Sequence, residues 1–231
     1  MSTVINLILA ESSIELVPRE IWNHPVILKH ARKRKKRPGE MLLDISLHYF
    51  AMRNLSMREK RGRPDIVHIS LLNALSSPLN IVGKLRVYIH TLNDYVIFVN
   101  PATRIPRNYN RFVGLIEQLL IEGKVPPDAD KPLMYVKPLS FRNLLRELGF
   151  DGAILLSEKG RLVKPEDICR LCVERGLPIV IGGFPHGDFS NEVKSLTVEA
   201  FSIFPKPLDT WVVVSRVIEG CERILGIYEF K

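Results

Sequence analysis

Two arginine-rich stretches and one glycine-rich loop hold the residue types best able to do chemistry in this chain. The first stretch, RGRPDIVH (61–68), puts Arg61 and Arg63 just before a segment that reads as a helix, begun by Pro64 with Asp65 in its first turn. The second, PATRIPRNYNRF (101–112), brings Arg104, Arg107 and Arg111 to the start of another helix, with Tyr109 and Phe112 among them. A cation at a helix N-terminus opposes the macrodipole by roughly 0.3–1 kcal/mol. An arrangement that is unfavourable by itself and occurs twice points to an anion nearby, most simply phosphate. The interleaved aromatics suit single-stranded RNA, whose unstacked bases lie on rings.

The glycine loop, IVIGGFPHGDF (179–189), runs a buried strand into Gly182, Gly183 and Gly187. Glycines at a strand end let backbone approach a ligand closely. In α/β sheets ligands sit beyond the carboxyl ends of strands. Ile203-Phe204-Pro205-Lys206-Pro207-Leu208 follows a later strand in the same way, stiffened by two prolines. Two rigid loops at neighbouring strand ends make a slot for a small flat ligand.

Other chemistries lack support. The six histidines are scattered, and none stands in an HExxH or GxSxG setting. There is no Walker loop and no GxGxxG. Cys169-Arg-Leu-Cys172 matches CxxC, but it lies inside a helical pattern and only Cys221 remains as a further thiol. A zinc site needs two more ligands, so the cysteines read as buried small apolar residues and no metal is expected. Three cysteines also exclude a disulfide framework and suggest a reducing compartment. No apolar run approaches the ~18 residues that span a bilayer. MSTVINLILA reads as a first strand rather than a signal peptide.

The charge is unevenly spread. The whole chain carries +8. Residues 29–111 hold 17 basic and 5 acidic residues, a local excess of +12, which leaves −4 elsewhere. Such asymmetry points to a polyanion met by one face. Nucleic acid is the first candidate. An anionic membrane surface is the second, without a basic amphipathic helix to support it. Arg32–Arg37 is six basic residues in a row, closed by Pro38–Gly39, and reads as a mobile loop because like charges repel.

The elements that must position these motifs follow from periodicity and punctuation. Strands are expected at Thr3–Ala10, Leu133–Lys137, Ala153–Leu156, Pro178–Ile181 and Val198–Ile203. Leu85–His90 and Tyr95–Val99 read as a hairpin. Helices are expected at Pro18–His30 (interrupted at Pro25), Asp44–Leu55, Asp65–Ser76, Asn108–Glu122, Ser140–Leu148, Pro165–Arg175 and Leu208–Leu225. Alternating strands and helices predict one α/β domain with a mostly parallel sheet covered on both faces, the hairpin being a local addition.

Taken together, GRPDIVHISLLNALSSPLN, VYIH, NPATRIPRNYNRFVGLIEQLL, IVIGGFPHG and the closing IFPKPLDTW…ILGIY resemble the pseudouridine N1-methyltransferases of ribosome biogenesis, a branch of the SPOUT superfamily. The segments cover most of residues 62–228 in the family's order. The resemblance implies a single SPOUT-like α/β domain over 1–231, with a C-terminal trefoil knot. A basic RNA-binding segment would occupy 29–111 and a cofactor-binding knot region 153–228. It implies S-adenosylmethionine held largely by backbone groups around Ser157, Gly182, Gly187, Ile203, Phe204, Pro205, Lys206, Pro207 and Leu208. It implies contact with small-subunit rRNA through Arg63, Arg104, Arg107 and Arg111, with Asp65 steadying Arg63. It also implies a homodimer with the last helix in its interface, other ribosome assembly factors as further partners, and a cytoplasmic location.

The reaction expected from the resemblance is methylation of N1 of one pseudouridine. That atom is a free N–H in pseudouridine, whereas in uridine it holds the sugar. The sulfonium methyl is already activated, so catalysis reduces mainly to positioning and loss of one proton. No base is singled out. Asp65 is available but is structural if it holds Arg63, and backbone donors stabilising the conjugate base are an equal possibility. The rivals are an rRNA-binding assembly factor without catalysis and an rRNA ribose 2′-O-methyltransferase.

Overall fold

The computed structural model describes residues 3–229. In chain order its strands and α-helices are β1 (Ile5–Ser12), α1 (Pro25–Arg34), α2 (Ile45–His48), α3 (Pro64–Leu75), α4 (Pro78–Ile81), β2 (Leu85–Thr91), β3 (Tyr95–Val99), α5 (Tyr109–Glu122), β4 (Lys124–Val125), β5 (Met134–Pro138), α6 (Phe141–Leu148), β6 (Ala153–Leu162), α7 (Pro165–Arg175), β7 (Ile179–Gly182), α8 (Asn191–Ser195), β8 (Thr197–Ser202) and α9 (Thr210–Ile224). The expected helix boundaries hold where a cap marks them. Asn108 and Ser140 accept from backbone N–H groups of α5 and α6, and Gly123 and Gly149 end those helices in the left-handed conformation.

All strands join one sheet in the order β4-β5-β3-β2-β1-β7-β6-β8. From β2 to β8 every pairing is parallel, and β3, β5 and β4 continue the sheet antiparallel. The hairpin is therefore not an addition. Its strand β2 pairs with β1 and its strand β3 with β5, so it joins the two halves of the sheet. β1 is central, and both its faces are buried. Leu7 and Leu9 face a core formed with α3, α5, α7 and α9, while Ile8 and Ala10 face one formed with α6 and the loop before α8. This two-sided burial is why Ile5–Ala10 is apolar at nearly every position.

A third, smaller core gathers Val17, Ile21, Ile27, Met41, Leu43, Met52 and Leu55 from the basic part of the chain. Two expectations fail here. The segment expected as one helix over Asp44–Leu55 is α2 followed by a 3-10 turn at Ala51–Asn54. The helical spacing of buried residues survives at His48, Ala51, Met52 and Leu55 while the last turn tightens. The run Arg32–Arg37 is not a free loop. Its first half is the last turn of α1, which ends at Arg34 and is capped by Lys35 in the left-handed conformation. Arg34 and Lys36 reach across to Glu117 of α5, a fully buried carboxylate that accepts from both at 2.6 Å and from the Leu42 N–H at 3.0 Å. The self-repulsion of the run is relieved by a partner 83 residues away.

Candidate functional site

The carboxyl ends of β6, β7 and β8 and the start of α9 enclose a cavity of about 180 Å³. Ser157, Gly182, Gly187, Ile203, Phe204, Lys206, Pro207 and Leu208 line it, while Pro205 lies off its wall. β6 opens the space. Leu156 and Arg161 both pair with Phe201 of β8, so the residues between them leave the ladder and bow outward. Sequence reasoning missed further wall residues. Leu156 and Ile181 are apolar walls read only as strand core, and Phe184 and Asp188 sit in the glycine loop. Thr210 donates its hydroxyl to the Gly182 carbonyl at 2.8 Å, which ties the start of α9 to the end of β7. No local pattern marks that bond. Asp188 accepts from Lys159 (2.8 Å) and Lys194 (2.9 Å), and these ammonium groups hold its carboxyl well below the usual range.

The glycines have distinct reasons. Gly187 has φ +99°, a conformation that side chains with a Cβ rarely adopt. A Cβ on Gly183 would overlap Ser12, whose Cα lies 2.8 Å from it, because Gly183 donates to the Ala10 carbonyl and accepts from the Ser13 N–H. A Cβ on Gly182 would meet the rings of Phe184 and Phe189 at 3.0 and 3.1 Å. Close approach of a ligand is thus not what keeps Gly182 and Gly183 small; the chain's own side chains fill that room. Among the described residues, the backbone N–H groups of Gly187, Lys206 and Leu208 have no hydrogen-bond partner in the chain. A slot walled by Leu156, Ile181, Ile203 and Leu208, with free backbone donors at its rim, fits a flat heteroaromatic ligand bound by its edges.

A second cavity adjoins the first through Pro185, which lines both. Its other walls are Ile45, Arg58, Glu59, Arg61, Arg63 and His186. Arg63 stands immediately before α3 and donates to both carboxylate oxygens of Asp65, at 2.8 and 2.7 Å. The fork is planar and held by Asp65, and the partly exposed Arg63 side chain lines the cavity. Asp65 is fully engaged by this pair, which makes it a positioning group for Arg63. Asp65→Gly is expected to lower stability by about 1–2 kcal/mol, from a lost first-turn carboxylate and a glycine in a helix. A thermal melt should show a midpoint lower by roughly 2–8 °C. An unshifted midpoint would remove this role.

Arg104, Arg107 and Arg111 are exposed, and among the described residues none has a carboxylate within ion-pair distance. Their loop is held from behind. His68 of α3 hydrogen-bonds the Pro106 carbonyl at 2.7 Å and stacks on Phe112, and Tyr109 donates to Asp44 at 2.6 Å. The two aromatics are thus packing and anchoring groups rather than exposed platforms. Arg61, which the sequence placed beside Arg63 as a phosphate ligand, is instead buried and donates to both oxygens of Glu15 at 2.7 Å. A fully paired buried arginine offers no charge to an anion, so the repeated pattern reduces to Arg63 and the Arg104–Arg111 loop. Lys60 likewise pairs with Glu11 at 2.5 Å and lies over the Phe184 ring at 4.4 Å, which links the basic part of the chain to the glycine loop.

The remaining histidines and cysteines serve the fold. His48 is completely buried beside His30, and burial lowers it to about 4. His90 accepts the Glu11 N–H and faces Asp94. Cys169, Cys172 and Cys221 lie in the seam between α7 and α9, where burial pushes the Cys172 thiol up to about 12.

Residues 7–222 match the family described as EMG1/NEP1 methyltransferase. A protein of Staphylothermus marinus named ribosomal RNA small subunit methyltransferase Nep1 is 60% identical over 227 residues, 98% of this chain and 99% of that protein. Its namesake in Thermococcus kodakarensis is 44% identical over 97% of this chain and 100% of its own length. The crystal structure of Archaeoglobus fulgidus Nep1 bound to S-adenosylhomocysteine superposes with a TM-score of 0.85 at 39% identity, covering 98% of this chain and 100% of that one.

Proposed function

The chain belongs to the EMG1/NEP1 methyltransferase family, and from that premise we propose that it methylates N1 of one pseudouridine in small-subunit rRNA, using S-adenosylmethionine. The observation that carries this reading is the meeting of two cavities at the glycine loop, one with free backbone donors and apolar walls, the other walled by Arg63. We read residues 1–231 as one unit, since a single sheet runs through the described chain. Residues 29–111 present the basic face, and 153–228 form the cofactor region, with its trefoil knot.

When bound, the cofactor supplies an electrophilic methyl on a sulfonium centre. Gly187, Ile203, Lys206 and Leu208 hold it by backbone, with Ser157, Gly182, Phe204, Pro205 and Pro207 shaping the slot. Arg63, fixed by Asp65, orients the target nucleotide in the neighbouring cavity. Pseudouridine is selected because only its N1 is free to bond to carbon. Transfer would form the N1–C bond as the methyl–sulfur bond breaks, leaving a neutral thioether, while the N1 proton passes to a base or to water. Asp65 acts here as the partner that fixes Arg63, to which both its oxygens bond.

Arg104, Arg107 and Arg111 bind phosphates. Each is expected to contribute about 0.7 to the log–log salt slope of single-stranded RNA binding. Replacing one by Ala should weaken binding, flatten the slope by that amount and leave cofactor affinity unchanged. Arg63→Ala should reduce single-turnover rate more than its phosphate contribution explains. Titrations at several salt concentrations check this, and an unchanged slope in all three variants removes the clamp.

The protein is taken to act as a homodimer. Exposed Ile81 and Val82, on and beside α4 where it packs against α9, supply an apolar surface next to the last helix. It is placed in the cytoplasm with its substrate, where other assembly factors of the small subunit would meet it. Among the described residues no helix is long and apolar enough to cross a membrane. Labelled cofactor with a stem-loop carrying either uridine or pseudouridine tests the reaction. Methyl on pseudouridine N1 supports it, methyl on ribose indicates a 2′-O-methyltransferase, and no cofactor binding indicates an RNA-binding assembly factor.

A further inference from the structure

Among the described residues, two of the most exposed aromatic side chains are adjacent. Tyr49 is 48% exposed and Phe50 59%. Their rings meet edge to face at 5.5 Å. The Arg58 guanidinium lies over Tyr49 at 4.8 Å and that of Arg53 over Phe50 at 5.2 Å. Neither arginine has a carboxylate within ion-pair distance among the described residues. Leu47 and Met57 extend the same exposed surface.

Exposing such rings forfeits the stabilisation that burying their apolar surface would give, and nothing local requires it. Ala51, Met52 and Leu55 of the same short segment are buried in the small core. The backbone is fixed by them and by the bond from the Ile45 N–H to the Gly62 carbonyl. The rings are thus held outward on a rigid base, with no ordering needed on binding.

We propose that Tyr49 and Phe50, with Arg53 and Arg58, form a stacking platform for unstacked nucleobases flanking the target nucleotide. The inference rests on the rRNA reading above. The occupant is RNA rather than protein for two reasons. The patch is continuous with the Arg63 cavity, because Arg58 both lines that cavity and covers Tyr49. Rings bearing unpaired guanidinium groups also match bases whose phosphates are anionic, since base–aromatic stacking and cation–π contact act together on single strands. Glu59 is the acidic neighbour on the cavity wall; its side chain lies against Gly187 of the glycine loop, and it forms no ion pair with either arginine.

The test compares wild type with Tyr49→Leu and Phe50→Leu on a stem-loop RNA whose single-stranded loop carries the target, at several salt concentrations. Melts should coincide, because both rings are exposed. Affinity should fall about tenfold for Phe50→Leu with the salt slope unchanged, since a stacked base is lost and no phosphate contact is. An RNA with abasic residues placed one at a time around the target should bind wild type equally weakly at one position, and Phe50→Leu should then add nothing. Equal RNA affinity for wild type and both variants overturns the platform. So does a change in dimer mass by sedimentation without a change in RNA affinity, which would assign the patch to a protein contact. Wild type that methylates this RNA while the variants behave identically rejects only the platform. Wild type that binds no RNA rejects the rRNA reading and the platform with it.

Discussion

Gly187→Val is expected to lose cofactor binding while the protein stays folded. The cause is backbone conformation. At φ +99° a β-branched side chain is strained by roughly 1–3 kcal/mol. The new Cβ would also sit 3.2 Å from Lys60 Cε, a side chain held by Glu11 and therefore unable to yield freely. The loop relieves the strain by moving, and the Gly187 N–H moves with it. A strain of that size corresponds to about a 5- to 150-fold loss of affinity before any lost contact is counted. A folded-state ligand at 100 times its Kd stabilises by about 2.7 kcal/mol. S-adenosylhomocysteine at that level should raise the wild-type midpoint by roughly 5–10 °C and that of the variant by less, down to about 1 °C at the 150-fold end of that range. The contrast is Gly183→Ala, where the Cβ would overlap Ser12 on β1, so the expected damage is to folding rather than to affinity alone. A ligand-induced shift of wild-type size in Gly187→Val would remove this residue from the site.

The second large effect concerns the basic run at the end of α1. Replacing Arg34 and Lys36 together by Ala should destabilise the protein by about 3–5 kcal/mol, because Glu117 would remain buried without a counter-charge. That is a midpoint lower by roughly 6–20 °C. Arg32→Ala with Lys35→Ala, exposed neighbours in the same run, should change stability by less than about 0.5 kcal/mol.

The pH dependence has a definite sign. In the wild type, burial pushes the Glu117 carboxyl up, but Arg34, Lys36 and the Leu42 N–H outweigh it and hold it below the ordinary range. Its stabilising contribution is therefore present above the unfolded value of about 4.3 and is lost as pH falls through the folded value. In the double variant burial is opposed only by the Leu42 N–H, and the carboxyl rises above its unfolded value. The penalty is then full above the raised value and vanishes on acidification. The gap in midpoint between the two proteins should narrow from pH 7.5 to pH 5. Equal melts at neutral pH would mean that the run is only solvated.

The glycine loop, the RIPR loop and their order along the chain were legible without a structure, because backbone-driven sites depend on local sequence. Glycines, prolines and caps act within a few residues of themselves. For the same reason Asn108, Ser140, Gly123 and Gly149 set helix ends where periodicity placed them. Central β1 was legible too, since burial on both faces leaves an unbroken apolar run. The tertiary structure decided which charges are available. Counting gave residues 29–111 an excess of +12 but did not show that Arg61 is consumed by Glu15, 46 residues away, or Arg34 by Glu117, 83 residues away. Nor did the pattern of α5 mark Glu117, which occupies a buried position between apolar neighbours. Composition fixes how many charges a face carries. Pairing depends on the path of the chain, and desolvation makes each buried pair all or nothing. Two adjacent aromatic residues look alike in a sequence whether they face the core or water. Only the packing of Ala51 and Met52 inward turned Tyr49 and Phe50 out beside the Arg63 cavity.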